Sequence, residues 1–239
     1  MNDIEISGSG SMGGGEYNNV RISGSGRVGG GILCKNFSAS GSTRVDGSIK
    51  CTQLSASGSM HANGSIDCET KLSTSGALEV NGSIKADIAR CSGSVAVSEN
   101  ISAREVAISG SSRIGGDVSA EKAVISGAVK IAGLLNAESV EIHIDHGATD
   151  CQIGAIGGGT VSVINKGGIF MHGFGRIMRG SMLRTTSIEA DTVEIECTAA
   201  QTVRAINATI GDNSDIDTVE YSGTLTVSDS ATVRNKVKI

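Results

Sequence analysis

The residues of this chain best suited to chemistry fall in one short stretch, His143-Ile144-Asp145-His146, with Asp150 and Cys151 close behind. Imidazole, carboxylate and thiolate are side chains that hold transition metals. On an extended strand His143 and Asp145 share a face while His146 points to the other, so the set converges only where a corner intervenes. The simpler reading is a solvent-facing strand continuing Val140-Glu141-Ile142, and no metal or cofactor is expected. Cys91, Cys151 and Cys197 stand apart, without the paired CxxC spacing of zinc sites. His61 and His172 are lone histidines on expected corners, exposed to solvent. Asp46, Asp67, Glu99 and Asp117 offer a row of acids, but their positions against the local pattern vary, as charges on an outer face do. Gly13-Gly14-Gly15 and Gly157-Gly158-Gly159-Thr160 lack the Lys-Ser/Thr pair and the helix of a phosphate loop. No nucleophile and base stand in a recognisable arrangement, so an enzyme is the least supported class and would need a ligand at His143–Cys151.

What positions these residues is a repeat. A Ser-Gly pair recurs with its glycine at 24, 41, 58, 76, 93, 110 and 127, a step of 17 residues and once 18. Four columns share that step. One is Val28, Val45, Ala62, Val80, Val97, Ile114, Ile131, and the second is Ile32, Ile49, Ile66, Ile84, Ile101, Val118, Leu135. The third holds small residues, Cys34, Cys51, Cys68, Ala86, Ala103, Ala120, Ala137, so its cysteines read as small apolar core groups before they read as a disulfide or metal site. The fourth is looser, with Val20, Phe37, Leu54, Leu72, Ala89, Val106 and Ala123.

A period of 17 is shorter than that of helical or leucine-rich repeats. Within a unit the apolar residues alternate, as in Val20-Arg21-Ile22, which is the two-residue period of a strand with one buried face. Glycine and serine mark the corners. Three short strands and three corners fit in one unit, and units stacked about 4.8 Å apart make an all-β parallel β-helix, a solenoid. Hexapeptide-repeat acyltransferases, the enzymes built on such a coil, need hexads that do not fit a step of 17.

Composition agrees with a thin aliphatic interior. Aromatic residues are 2% of the 239, Trp and Pro are absent, and the 34 glycines are placed too regularly for a disordered linker. The net charge of −5 is spread along the chain and gives no case for nucleic acid. Neither a membrane span nor a secretory leader is read, so the expected address is cytoplasmic, with peripheral contact to the membrane left open.

Three regions are expected: a regular core over 1–142, an irregular glycine-rich segment over 143–187, and further coils over 188–239. In the first coil Glu16 is expected in an otherwise aliphatic column. The central segment brings together Phe170, Phe174, Arg176, Arg179 and Arg184, a set that suits a partner or an anionic surface, or else irregular coils with solvated charges. Ala190-Asp191-Thr192-Val193-Glu194-Ile195 echoes Ala137–Ile142, and Asp217-Thr218-Val219-Glu220-Tyr221 echoes it again.

The motif Val20-Arg21-Ile22-Ser23-Gly24-Ser25, then V-x-G-x-I and a small residue as in Val80-Asn81-Gly82-Ser83-Ile84-Lys85-Ala86, recurs through residues 20 to 137. In this the chain resembles the bactofilins, bacterial polymer-forming cytoskeletal proteins, over about half its length. The resemblance implies a right-handed, three-sided β-helix that assembles end to end into filaments without nucleotide. It also implies a scaffold that positions envelope, shape or motility machinery, often at the membrane. The long second half lies outside the family pattern.

Bare coils at both ends favour stacking on another copy. The expected polymer contacts are Ile4 and Ile6 at one end and Val233, Val237 and Ile239 at the other. Partners are then the chain itself, with a paralogue or an envelope protein left open. The alternative is an adaptor that recruits its partner through the Phe170–Arg184 segment.

Overall fold

Alternating strands broken by Ser-Gly corners close here into coils of parallel strands. The structure, a computed structural model, describes residues 2–144, 151–166 and 181–239, and among them there is no helix. In chain order the strands are β1 (Asn2–Ile6), β2 (Ser9–Ile22), β3 (Ser25–Ala39), β4 (Ser42–Val45), β5 (Ile49–Ala56), β6 (Ser59–Ala62), β7 (Ile66–Thr74), β8 (Ala77–Val80), β9 (Ile84–Cys91) and β10 (Ser94–Val97). They continue with β11 (Ile101–Ile108), β12 (Ser111–Ile114), β13 (Val118–Ser126), β14 (Ala128–Ile144), β15 (Cys151–Asn165), β16 (Leu183–Ile195), β17 (Thr198–Ile210), β18 (Asp215–Tyr221), β19 (Leu225–Val227) and β20 (Thr232–Lys238). Two compact units, Met1–Glu121 and Lys122–Ile239, each form a parallel β-solenoid.

In the first unit one coil has three sides. The first is a four-residue strand such as β4, whose Thr43 and Val45 point inward. The second and third share β5: Ile49 and Cys51 are buried, Thr52 and Gln53 break the alternation, then Leu54 and Ala56 are buried. That break is the corner between the two sides. It leaves a spacing of two, three and two between inward residues, which recurs in every regular coil. All four columns are real ladders. Val28 pairs with Val45, Ile32 with Ile49, Cys34 with Cys51 and Phe37 with Leu54. Fully burying one such aliphatic side chain stabilises the fold by about 1.5–3 kcal/mol.

The eighteen-residue step has a local cause. Cys51 pairs with Cys68 at 17 residues, but Leu54 pairs with Leu72, and the added residue sits at the corner Glu69-Thr70. There Thr52 donates its hydroxyl to Glu69 at 2.9 Å, and Thr70 donates to the Thr52 carbonyl at 2.7 Å. A corner absorbs the insertion, and the inward columns on either side are undisturbed.

The first coil corrects one expectation. A register shift between Gly13 and Gly15 puts Gly15 opposite Ile32, while Glu16 lies opposite the outward Leu33. The aliphatic column therefore begins with a glycine, and the Glu16 carboxylate stays outside the core.

In the second unit the second column reads Leu135, Ile156, Ile188, Val203, Val219 and Lys236. Its steps are uneven because the extra residues, 145–150 and 167–180, fall between β14 and β15 and between β15 and β16. β15 itself pairs along its length with β14 and with β16, inside the stretch where the period is lost from the sequence. The first echo holds, since Ala137 and Ala190 share a column through Gly158. The second does not: Val219 pairs with Val203 and Ile188, not with the column of Val193. Alternating pentapeptides fit any side of a coil, so the echo matched the wrong one. Two tight corners here use left-handed residues other than glycine, Cys197 at φ 47° and Asn213 at φ 57°.

Candidate functional site

Because β14 stays extended to Ile144, its side chains alternate, and His143 stands outward between the buried Ile142 and Ile144. Its Nε2 meets the carboxylate of Glu141 on the same face. That hydrogen bond holds the Glu141 carboxyl below its ordinary range. Cys151 opens β15 at an inward position beside Leu183 and is buried. Of this pair, one side chain faces outward and the other the core, so the two do not converge. Asp145, His146 and Asp150 lie outside the described residues. Among the described residues no group of three His, Cys, Asp or Glu side chains is placed to hold a metal ion.

His61 is on β6, a strand and not the corner expected of it, and its ring contacts Asn63 at 2.6 Å and Glu79 at 3.0 Å. His172 lies outside the described residues. Of the acids read as charges on an outer face, Asp46 follows β4 at a corner and Asp67 lies on β7. Asp46 accepts from Arg27 at 2.9 Å and from Arg44 at 3.4 Å, and the Arg27 hydrogen bond leads the lowering of its pKa. Asp67 lies beside Lys50 and Lys85 on the neighbouring coils. The Arg27–Asp46 ion pair ties one coil to the next across an exposed face.

The third column places Cys34, Cys51 and Cys68 inward on successive coils, with the sulfurs of Cys51 and Cys68 3.3 Å apart. All six cysteines are buried, and none forms a disulfide. Burial, with the neighbouring Cys51, pushes the Cys34 thiol up to about 12, and burial raises Cys91 to about 11. Cys51 is raised by its hydrogen bond to Cys68 and by burial. Since the thiolate is the reactive form, a charged disulfide reagent should label the native protein slowly and all six positions after denaturation. Rapid native labelling of Cys34, Cys51 or Cys68, read by peptide mass spectrometry, would contradict this placement.

The ends of the two units hold the remaining candidates. On β1, Ile4 pairs with Val20 and Ile6 with Ile22, so both stand on inward columns over the core. Met12 does the same opposite Val28. Tyr17 continues the cysteine column and donates its hydroxyl to the Gly13 carbonyl at 3.0 Å. At the other end Val233 pairs with Ile216 and is inward. Val237 pairs with Glu220 on an outward position, and Ile239 is 66% exposed, its N–H donated to Tyr221. The inward positions of that strand belong to Lys236, opposite Val219, and Lys238, opposite Tyr221. Leu225 and Val227 of β19, over Ala208 and Ile210, complete the inward set. Sequence reading missed Met12, Leu225, Val227 and the two lysines. A count forward from Ala190 and Val193 loses its phase at the four-residue steps from Ile210 to Ser214 and from Tyr221 to Leu225.

Of the central set, Phe170, Phe174, Arg176 and Arg179 lie outside the described residues. Arg184 is on β16, on the exposed position between Gln152 and Ala199.

No family model matches the chain, and no solved structure matches it. Over 64 residues the chain is 41% identical to the uncharacterized protein YhbE of Bacillus subtilis (strain 168), a span that is 27% of each chain. The match thus takes in about a quarter of the length of that curated relative.

Proposed function

We propose that this protein is a non-enzymatic scaffold that assembles end to end through its terminal coils without nucleotide, as its resemblance to the bactofilins implies. The observation that carries the reading is the pair of open edges. Among the described residues β1 presents Ile4 and Ile6 on inward columns with a strand on one edge alone, and β19 presents Leu225 and Val227 in the same way. Open parallel edges over an apolar cross-section are templates for another strand. A role in placing envelope, shape or motility machinery from the cytoplasmic side belongs to the same proposal, and the buried reduced thiols suit that compartment.

Electron microscopy and sedimentation of the purified chain, in buffer with chelator and no nucleotide, test it. Filaments are expected, and single-chain rods at every concentration would overturn the reading. Two variants sharpen the test. Ile6→Asp puts a charge on the open edge. Gly8→Trp adds bulk where a Cβ meets nothing within 4 Å in the isolated chain. Both should keep the far-UV circular dichroism of the parent and lose sedimentable polymer; unchanged polymer in both would refute assembly through this end.

A further inference from the structure

Two asparagine–glycine pairs stand on successive coils of the first unit. β4 and β6 end in register, as do β6 and β8, so Asp46-Gly47, Asn63-Gly64 and Asn81-Gly82 occupy the same corner of three coils in a row. The backbones at the two asparagines are alike. Asn63 donates its N–H to Val45 at 2.9 Å, and Asn81 donates to Ala62 at 3.0 Å. A Cβ at Gly64 would lie 2.4 Å from the Ser48 hydroxyl, and one at Gly82 would lie 2.4 Å from the Ser65 hydroxyl. Both asparagines are exposed.

Their side chains differ. The Asn63 oxygen accepts from Arg44 at 3.4 Å and meets His61 Nε2 at 2.6 Å, while its nitrogen donates to Asp46 at 3.4 Å. A guanidinium only donates and a carboxylate only accepts, so these neighbours fix which way the carboxamide points. Among the described residues the Asn81 carboxamide has no hydrogen-bond partner, and neither has the N–H of Gly64 or of Gly82. The side chains alone distinguish the two corners.

We propose that Asn81 is a site of spontaneous deamidation in the folded protein, and that Asn63, clasped by Arg44, His61 and Asp46, is protected from the same reaction. A glycine that follows asparagine has no side chain to hinder the approach of its nitrogen to the carboxamide. Base takes the Gly82 amide proton, the nitrogen bonds to Cγ of Asn81, and the Cγ–Nδ2 bond breaks with loss of ammonia, leaving a succinimide ring. Water opens the ring at either carbonyl and gives aspartate or isoaspartate. One water enters, one ammonia leaves, and nothing is oxidised or reduced. The first step turns Cγ onto the glycine nitrogen, a rotation that at Asn63 breaks contacts at both ends of the carboxamide.

The fold accommodates both products. Aspartate before glycine already occupies this corner at Asp46-Gly47. Isoaspartate routes the main chain through Cβ and lengthens the corner, and the added residue at Glu69-Thr70 is a larger insertion that leaves the columns beside it in place.

The test holds the full-length chain in warm, mildly alkaline buffer and follows both sites by peptide mass spectrometry. Trypsin cuts after Lys50, Lys71 and Lys85, so Asn63 and Asn81 fall in separate peptides, each with a single asparagine. Asn81 is expected to convert several-fold faster than Asn63, and in denaturant the two should convert at comparable rates. His61→Ala should speed Asn63 and leave Asn81 unchanged; Ala96 stands in the same column, so the position accepts alanine. Conversion of Asn63 as fast as Asn81 in the folded chain would overturn the proposal, as would conversion of neither while the denatured chain converts both. If Asn63 stays slow in His61→Ala and also in Arg44→Ala, the clasp is not what protects it, and that half of the proposal fails.

Discussion

Gly41→Ala is expected to destabilise the first unit by about 2–4 kcal/mol, a lower Tm in thermal unfolding, although one methyl group is all that changes. A Cβ at Gly41 would lie 1.9 Å from the Gly24 carbonyl oxygen of the coil beneath. That oxygen is itself fixed, since it accepts the Ser42 N–H at 3.0 Å, and Ser40 donates to Ile22 at 2.8 Å on the other flank. Neither the new carbon nor the carbonyl has room to retreat without breaking the ladder. The same collision waits at Gly24, Gly58 and Gly76, each of which would meet the carbonyl of the glycine one coil below at 2.1 Å. Gly8 heads the column, and among the described residues a Cβ there would meet nothing within 4 Å, so Gly8→Ala is the internal control and should leave Tm unchanged in dilute, unassembled protein. Equal stability of the Gly41 and Gly8 variants would refute this account of why the Ser-Gly pair recurs.

That column also explains how much was legible. The glycines repeat because a backbone passes a backbone there, and the four apolar columns repeat because each position has one size to fill. Periodicity exposes such constraints without any structure. Two further columns escaped notice because their contents vary: Ile22, Ala39, Ala56, Thr74, Cys91 and Ile108 on the third side, and Gly26, Thr43, Met60, Leu78, Val95 and Ser112 on the first. Large and small residues trade volume across a thin interior, so neither column keeps a constant type. Cys91, which stands alone in sequence, is a member of the first of these.

The end residues were harder still. Alternation in Val233-Arg234-Asn235-Lys236-Val237-Lys238-Ile239 suggests that the aliphatics point inward. The corner between Val233 and Lys236 reverses the phase, as Thr52-Gln53 does within β5, and it is the lysines that fall on the inward columns. A corner carries no residue signature strong enough to announce that reversal. At His143 the strand runs on through Ile144, the arrangement that the simpler reading of a solvent-facing strand expects, and neighbours in sequence face opposite ways.

Removing residues 42–58, one whole coil, should give a protein that still folds cooperatively, whereas removing residues 42–50 should abolish folding of the first unit. A solenoid is held by contacts between neighbouring coils, so an excised coil exchanges one interface for an equivalent one. After the longer deletion Ser59 follows Gly41. Val28 then faces Ala62, Ile32 faces Ile66, Cys34 faces Cys68 and Phe37 faces Leu72, each pair already of one column. The Arg27–Asp46 ion pair is lost, but its groups are exposed and Asn63 takes the place of Asp46. A net loss of a few kcal/mol corresponds to a fall in Tm of roughly 5–15 °C for a chain of this size. The shorter deletion joins Gly41 to Cys51 and sets the end of a second side where a first side belongs. Every strand of the coil then meets a neighbour of the wrong length and phase, and inward residues turn to solvent. Far-UV circular dichroism and urea unfolding distinguish the outcomes: a cooperative transition in the nine-residue deletion, or its absence in the seventeen-residue one, would show that the coil is not the unit on which this fold is built.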